Sequence, residues 1–277
     1  MAEEKFRATP IYIVPILSSL LVSILCAFLI LESKVELTSV TMLPETGYGP
    51  LFNATIFVLA AGFGATIIYF LLKFGVHRFI HFLMGVTFSV LTFLLVILYS
   101  ELVFVIMNID VPSAMILFLA FFATSFVVLE VFLGKGRFYE IIVLVIGGST
   151  GTLLGASIPT FSAVLILLLL AVYDVIAVFH GPVGKIAEIG LEHLPGASFS
   201  FKKIYVGLGD LTFYSMLVSH VFLSFGWKAC AAATCGVLFG SFLSFKMVEK
   251  KGMFPGLPFS VLFGLLASFI ALLWFNI

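Results

Sequence analysis

Apolar runs long enough to cross a membrane fill most of this 277-residue chain. Charged or turn-forming breaks divide it into nine segments, most of them roughly 17–25 residues long, which is the length of a membrane-spanning helix. Only 10% of the residues are charged, whereas a soluble domain usually carries about 25%. We therefore predict an all-α membrane protein, a polytopic bundle of nine transmembrane helices. The predicted spans are 11–31, 54–73, 80–107, 112–133, 140–157, 160–180, 205–225, 228–246 and 257–277.

The distribution of Lys and Arg predicts how this bundle is oriented. If the N-terminus is cytoplasmic, twelve of the fourteen basic residues face the cytoplasm, and only Lys34 and Lys228 face the other side. Cytoplasmic loops of membrane proteins carry an excess of positive charge. The count therefore predicts a cytoplasmic N-terminus and an extracytoplasmic C-terminus. Because the formal net charge is zero, no basic field attracts nucleic acid, which we exclude as a partner.

Two of the three aspartates of the chain, Asp174 and Asp210, lie inside predicted spans. A carboxylate at bilayer depth costs about 2.5–3.5 kcal/mol on insertion scales, and such residues usually face the bundle interior and have a function there. Helix rise places Asp174 about 9 Å, and Asp210 about 7–8 Å, from the cytoplasmic end of its span. The two spans run antiparallel, so we expect the two carboxyls to meet.

Two adjacent carboxyls cannot both ionise easily, so one holds a proton while the other is charged. The charged one can activate a water, and the protonated one can polarise a peptide carbonyl. Intramembrane acids also build proton and cation relays, and a buried structural pair is a third interpretation. The two aspartates alone leave a protease and a transporter equally favoured.

The neighbouring residues favour a peptide as the partner of these acids. Two glycines precede Asp210 in the sequence Gly207-Leu208-Gly209-Asp210, where glycine permits close approach of another backbone. The last span opens with Pro255-Gly256-Leu257-Pro258. Two prolines within four residues disfavour a helix there, and irregular backbone at membrane depth is typical of a cavity lining. Backbone groups beside such a cavity can pair with an extended peptide.

These motifs resemble those of a known family. Tyr173-Asp174, the Gly-Leu-Gly-Asp sequence at 207–210 and the Pro-x-Leu-Pro sequence at 255–258 are similar to the motifs of the presenilin and signal-peptide-peptidase family of intramembrane aspartyl (GxGD) proteases. The resemblance covers roughly residues 160–277. The nine spans, the orientation and the leucine of the Gly-Leu-Gly-Asp motif place the chain nearer to presenilin. Because so few residues lie outside the membrane, the chain resembles a prokaryotic, archaeal homologue. One residue departs from the family, which usually has alanine at the position of Gly256.

The resemblance implies an intramembrane aspartic endopeptidase that hydrolyses peptide bonds in transmembrane segments, with Asp174 and Asp210 as the catalytic dyad. It implies that residues 1–157 form a scaffold and residues 160–277 the catalytic part of one membrane domain. A cation channel or a proton-coupled transporter remains the alternative, and a prepilin-type peptidase is a third possibility. The residues expected to shape the site or bind substrate are Tyr173, Gly207, Leu208, Gly209, Pro255, Gly256, Leu257 and Pro258.

The expected partners are transmembrane proteins or signal peptides as substrates, and the lipid bilayer of a prokaryotic cell membrane. We expect the chain to work alone or as a homo-oligomer without obligatory accessory subunits. The short 181–203 loop argues against autocleavage. We expect no metal or cofactor, because the only histidine pair at helical spacing, His77 and His81, has no third ligand in the sequence pattern.

A serine-hydrolase pattern also occurs, because residues 147–151 spell Gly-Gly-Ser-Thr-Gly. The strand–turn–helix context of a nucleophile elbow is missing. Gly147, Gly151 and Gly155 are spaced by four residues, and small residues at that spacing let helices pack closely in lipid. We interpret the pattern as a helix-packing stripe.

Overall fold

The computed structural model of the chain describes residues 7–35, 37–133, 137–189, 194–202 and 204–275. Across these ranges it is a helical bundle with one short two-stranded sheet. A 3₁₀ turn at Pro10–Ile13 precedes the first helix. The helices are α1 Val14–Ser33, α2 Gly49–Lys73, α3 His77–Met107, α4 Ser113–Leu133, α5 Arg137–Ser157, α6 Thr160–Phe179, α7 Pro182–Ile189, α8 Leu208–Lys251 and α9 Leu257–Phe275, and the strands are β1 Ser198–Phe201 and β2 Ile204–Gly207.

The all-helical membrane architecture predicted from the sequence is confirmed. Among the described residues, eight helices are long and apolar enough to cross a membrane. Six of the predicted spans coincide with α1 to α6 within a few residues, and the last coincides with α9. The seventh and eighth predicted spans are joined in one 44-residue helix, α8.

Helix α8 does not run straight. At 1.5 Å per residue a straight α8 would be about 66 Å long, about twice the hydrocarbon thickness of a bilayer. Gly226 interrupts it with φ 80° and ψ −177°. A Cβ placed on Gly264 of α9 would lie 2.8 Å from Val237 and 3.1 Å from Leu217, although a straight helix would separate those two residues by about 30 Å. The helix therefore folds back at Gly226, and both halves flank α9.

Small residues let the first half of α8 pack closely on α5. A Cβ on Gly147 would lie 2.9 Å from the Cβ of Leu211, and a Cβ on Gly155 would lie 2.5 Å from the hydroxyl of Ser219. No side chain fits at either position without displacing α8. The predicted glycine stripe of α5 is therefore a packing surface, as expected from its spacing.

Hydroxyl side chains join α1 to the same two helices. Thr152 of α5 donates to the Ser23 hydroxyl at 2.9 Å, and Ser23 of α1 donates to the Ser215 carbonyl of α8 at 3.0 Å. Interhelical hydrogen bonds between hydroxyls hold helices together in lipid, where burial of apolar surface gives no advantage. Helices α1, α5 and α8 therefore form the tightly packed centre of the bundle.

The hairpin of β1 and β2 differs from the sequence prediction, which began the seventh span at residue 205. The strands pair antiparallel, with Ser198 opposite Gly207. The alternation in Ser-Phe-Ser-Phe and the branched and aromatic residues of Ile-Tyr-Val are typical of strands, and this signal was missed. Helix α8 begins only at Leu208, so Asp210 lies in the first turn of its helix rather than five residues inside it.

The first testable prediction concerns Gly226. Its backbone conformation is one that essentially only glycine adopts, and forcing another residue into it costs on the order of 1–3 kcal/mol. We expect Gly226→Ala to lower the unfolding midpoint in detergent by several degrees. Gly64→Ala is the matched control, because Gly64 lies in α2 with nothing near its Cβ position, where alanine favours the helix. Equal midpoints for the two variants would contradict the assigned conformation.

Candidate active site

Asp174 is held by the backbone at the start of α9. The Leu257 N–H donates to Asp174 Oδ2 at 3.0 Å, and the Gly256 N–H also lies within hydrogen-bonding reach of this carboxyl. The first N–H groups of a helix have no acceptor inside the helix, and the helix dipole favours a negative charge at that end. Asp174 therefore accepts a hydrogen bond from an N–H group that has no partner inside α9, although Asp174 itself belongs to the second-last turn of α6.

Asp210 contacts the same segment from the other side. A Cβ on Gly256 would lie 2.9 Å from Asp210 Oδ2 and 3.1 Å from Asp210 Cγ, so the carboxyl lies directly against the Cα of Gly256. The next residue, Leu257, donates to Asp174. Consecutive residues thus contact both carboxyls, and the two carboxyls interact electrostatically. Both aspartates are half-buried.

The structure also places the residues before Asp210 at this site. Gly207 is the N-cap of α8, and a Cβ there would lie 3.5 Å from Asp210 Oδ2. Leu208 is half-buried against Gly147 of the α5 stripe and packs on the buried cluster of Phe88, Val131 and Ile146. Gly209 is exposed, with nothing within 4 Å of its Cβ position. The first turn of α8 therefore leaves open space beside the carboxyl.

The Pro-Gly-Leu-Pro segment behaves in part as predicted. Pro255 lies before α9, whereas Pro258 is the second residue of the helix, where a missing N–H costs nothing. The side chains of Pro255 and Leu257 are buried. The sequence suggested that backbone groups of this segment are free to pair with a substrate. The Leu257 N–H is not free, because it donates a hydrogen bond to Asp174.

Tyr173 extends towards α2. A Cβ on Gly62 would lie 3.1 Å from the Tyr173 ring. The Tyr173 hydroxyl is buried and has no hydrogen-bond partner among the described residues. Tyr173 therefore lies at the boundary between α2 and α6, next to Asp174.

Among the described residues, the serine pattern and the histidines form no second site. The Ser149 hydroxyl donates to the Val145 carbonyl of its own helix. The Nδ1 atom of His220 contacts the carbonyl of Gly155 at 2.8 Å. Gly155 lies six residues after Ser149 on α5, which is about 9 Å along the helix axis. Within the described ranges, no three His, Cys, Asp or Glu side chains lie close enough together to hold a metal ion.

Sequence reasoning missed one residue next to the dyad. Tyr214 is buried, and its hydroxyl would lie 3.0 Å from a Cβ on Gly256. Its position four residues after Asp210, on the same face of α8, was the available signal.

Comparison with known proteins finds a likeness of the fold. No protein-family model and no curated protein matches the chain. One solved structure of a presenilin family intramembrane aspartate protease, in space group C222, aligns with a TM-score of 0.66 at 20% identity, covering 94% of this chain and 98% of that one. Another, in space group P2, aligns with a TM-score of 0.62 at 19% identity, covering 95% and 96%.

The chain therefore has the fold of the presenilin family intramembrane aspartate proteases over almost its whole length. The resemblance stated from residues 160–277 is confirmed at the level of the fold. It also extends beyond the part of the chain that the motifs covered, because the alignment includes the N-terminal helices.

A second prediction follows from the bond between Asp174 and α9. Asp174→Ala removes the acceptor of the Leu257 N–H, and an unsatisfied buried donor costs about 1–3 kcal/mol. We expect faster amide hydrogen exchange at residues 256 and 257, measured by mass spectrometry in detergent. Asp174→Asn retains a side-chain oxygen acceptor and is expected to exchange like the wild type. If both variants exchange at the wild-type rate, Asp174 does not hold α9.

Proposed function

We propose that the protein is an intramembrane aspartyl endopeptidase, a hydrolase that cuts peptide bonds in the transmembrane segments of other proteins. The observation that carries the proposal is the contact of Gly256 and Leu257 with Asp210 and Asp174 respectively. It brings two carboxyls to one place in a chain with the fold of the presenilin family intramembrane aspartate proteases.

The surroundings of the two carboxyls suggest different roles for them. The Leu257 N–H donates a hydrogen bond to Asp174 and stabilises a negative charge there, so we assign the single proton of the dyad to Asp210. Asp174 then accepts a proton from the attacking water. Asp210 donates a hydrogen bond to the scissile carbonyl oxygen and stabilises the tetrahedral intermediate. When the intermediate collapses, Asp174 gives the proton that it took from the water to the leaving amide nitrogen, so that the dyad again holds one proton, on Asp210.

A substrate helix must unwind before it can react, because its own hydrogen bonds hide the scissile carbonyl. Strand β2 ends at Gly207, and the helix of Asp210 begins at the next residue. The Leu208 N–H donates to the carbonyl of Ala197, just before β1, at 2.8 Å, so the hairpin and the start of α8 are joined by a hydrogen bond. Each strand of a two-stranded sheet has one unpaired edge. We propose that the unwound substrate adds to such an edge as a further strand, which would hold the peptide bond extended beside the dyad.

The proposed membrane arrangement has nine spans, a cytoplasmic N-terminus and an extracytoplasmic C-terminus. Its support is the fold-back of α8 at Gly226, which lets each half cross once, and the distribution of basic residues. In this arrangement residues 160–277 are the catalytic part and residues 1–157 the scaffold. We further propose that the enzyme acts alone or as a homo-oligomer, in a prokaryotic cell membrane.

The third prediction tests the dyad. We expect Asp174→Ala and Asp210→Ala each to lower the cleavage rate of a transmembrane substrate in proteoliposomes by at least about a thousandfold, as when one member of a catalytic unit is lost. Asp110→Ala is the matched control, because Asp110 is the third aspartate of the chain and is exposed between α3 and α4. It should retain wild-type activity.

The same preparations distinguish a protease from a channel or proton-coupled transporter. Wild-type vesicles should yield substrate fragments cut within the membrane segment and show no ion or proton flux that depends on Asp174 and Asp210. Dyad-dependent flux without proteolysis would assign the acids to transport instead.

A further inference from the structure

Three buried hydroxyl groups, those of Tyr214, Ser241 and Ser260, form a cluster between α8 and the start of α9. This hydroxyl cluster has no part in the mechanism above. Tyr214 is 3% exposed and follows Asp210 by one helical turn. Ser241, in the second half of α8, and Ser260, in α9, lie within hydrogen-bonding reach of the Tyr214 hydroxyl. The two serine hydroxyls hydrogen-bond to each other at 2.9 Å, and both serines are fully buried.

This hydroxyl cluster is connected to the segment that contacts both aspartates. Ser260 donates to the Gly256 carbonyl at 3.2 Å, and Ser244 lies 3.4 Å from the same oxygen as a further donor. On its other side, the segment donates the Leu257 N–H to Asp174. The carbonyl of residue 256 is thus held by the cluster, while the adjacent N–H group is held by the dyad.

The hydroxyl of Tyr214 also limits the size of residue 256. A Cβ there would lie 3.0 Å from the Tyr214 hydroxyl and 2.9 Å from Asp210 Oδ2, both closer than ordinary van der Waals contact, which begins at about 3.5 Å. The hydroxyl oxygen and the carboxyl oxygen are therefore at most about 6 Å apart, and both lie beside the position that a Cβ of residue 256 would take. A glycine leaves room for both oxygens, whereas a methyl group would displace at least one of them.

A tyrosine used only to fill space would not need these partners. Its hydroxyl costs free energy in an apolar interior unless it is hydrogen-bonded. Here two serines from different helical segments converge on it. Because Tyr214 is buried beside this serine pair, its side chain has little freedom to turn away from residue 256.

We propose that Tyr214 is a positioning residue for the dyad. Its hydroxyl, buried beside the Ser241–Ser260 pair, sets how closely residue 256 approaches Asp210, and Gly256 is the residue that fits against this hydroxyl. The proposal rests on the proposed proteolytic function and adds a residue that the sequence motifs do not contain.

The fourth prediction is kinetic. Tyr214→Phe removes one oxygen atom and leaves the ring in place. We expect kcat for a transmembrane substrate to fall about tenfold or more with KM within about threefold, because small displacements of reacting groups slow the chemical step rather than binding. The control is Tyr99→Phe, which removes a hydroxyl that donates to the Ser149 carbonyl at 2.9 Å between α3 and α5. It should keep the wild-type kcat.

A double-mutant cycle tests the match between the two residues. Gly256→Ala alone should also lower kcat about tenfold or more. In the double variant Tyr214→Phe/Gly256→Ala, the alanine methyl group can occupy the space that the hydroxyl has left. The fall in kcat should therefore be smaller than the product of the two single falls, as expected for residues in contact. A kcat of Tyr214→Phe equal to that of Tyr99→Phe, or losses that multiply in the double variant, would overturn the proposal.

Amide hydrogen exchange separates this proposal from the proposed function. Tyr214→Phe should raise the exchange of a peptide covering residues 252–260 above both the wild type and Tyr99→Phe. If the wild type cleaves no substrate, the proposed function fails, and this exchange comparison alone decides whether Tyr214 positions the segment. Equal exchange in the two phenylalanine variants would show that it does not.

Discussion

The bond between the Leu257 N–H and the Asp174 carboxyl is the interaction on which the site depends. A charged carboxyl inside a membrane protein needs donors, and the start of a helix has N–H groups that need acceptors. Here the Asp174 carboxyl accepts the hydrogen bond of the Leu257 N–H, so both groups have a partner. Since Asp174 belongs to α6 and Leu257 to α9, the same bond fixes the last helix against the helix that carries the first aspartate.

The fold places the second aspartate at this junction by close packing. Helix α8 turns back at Gly226, so that both of its halves flank α9. Its first half is also held against the glycine stripe of α5, which brings the first turn of α8, with Asp210, to the start of α9. Because lipid supplies no hydrophobic force between helices, small residues and hydroxyl pairs hold these helices together. The position of Asp210 therefore depends on the close approach of the α5 and α8 backbones.

Much of the fold could be predicted from the sequence, because the thickness of the bilayer fixes the length of each apolar segment. The two aspartates were identifiable because a carboxyl is costly there. The hairpin was missed, since two strands of four residues give little periodicity beside long apolar runs. Gly256 was expected to shape the site, but its contact with Tyr214 could not be predicted, because it joins α8 to the start of α9 and only the three-dimensional structure brings these two elements together.

The central claim is that Asp174 and Asp210 act as one unit on a peptide bond. The most direct test is the affinity of a peptide isostere whose hydroxyl group mimics the tetrahedral intermediate. Such mimics bind about 10²- to 10⁸-fold more tightly than substrates when a site is built for the transition state. We predict that alanine at either aspartate removes this tight binding and that the double variant loses little more. Undiminished affinity in either single variant would contradict the shared dyad.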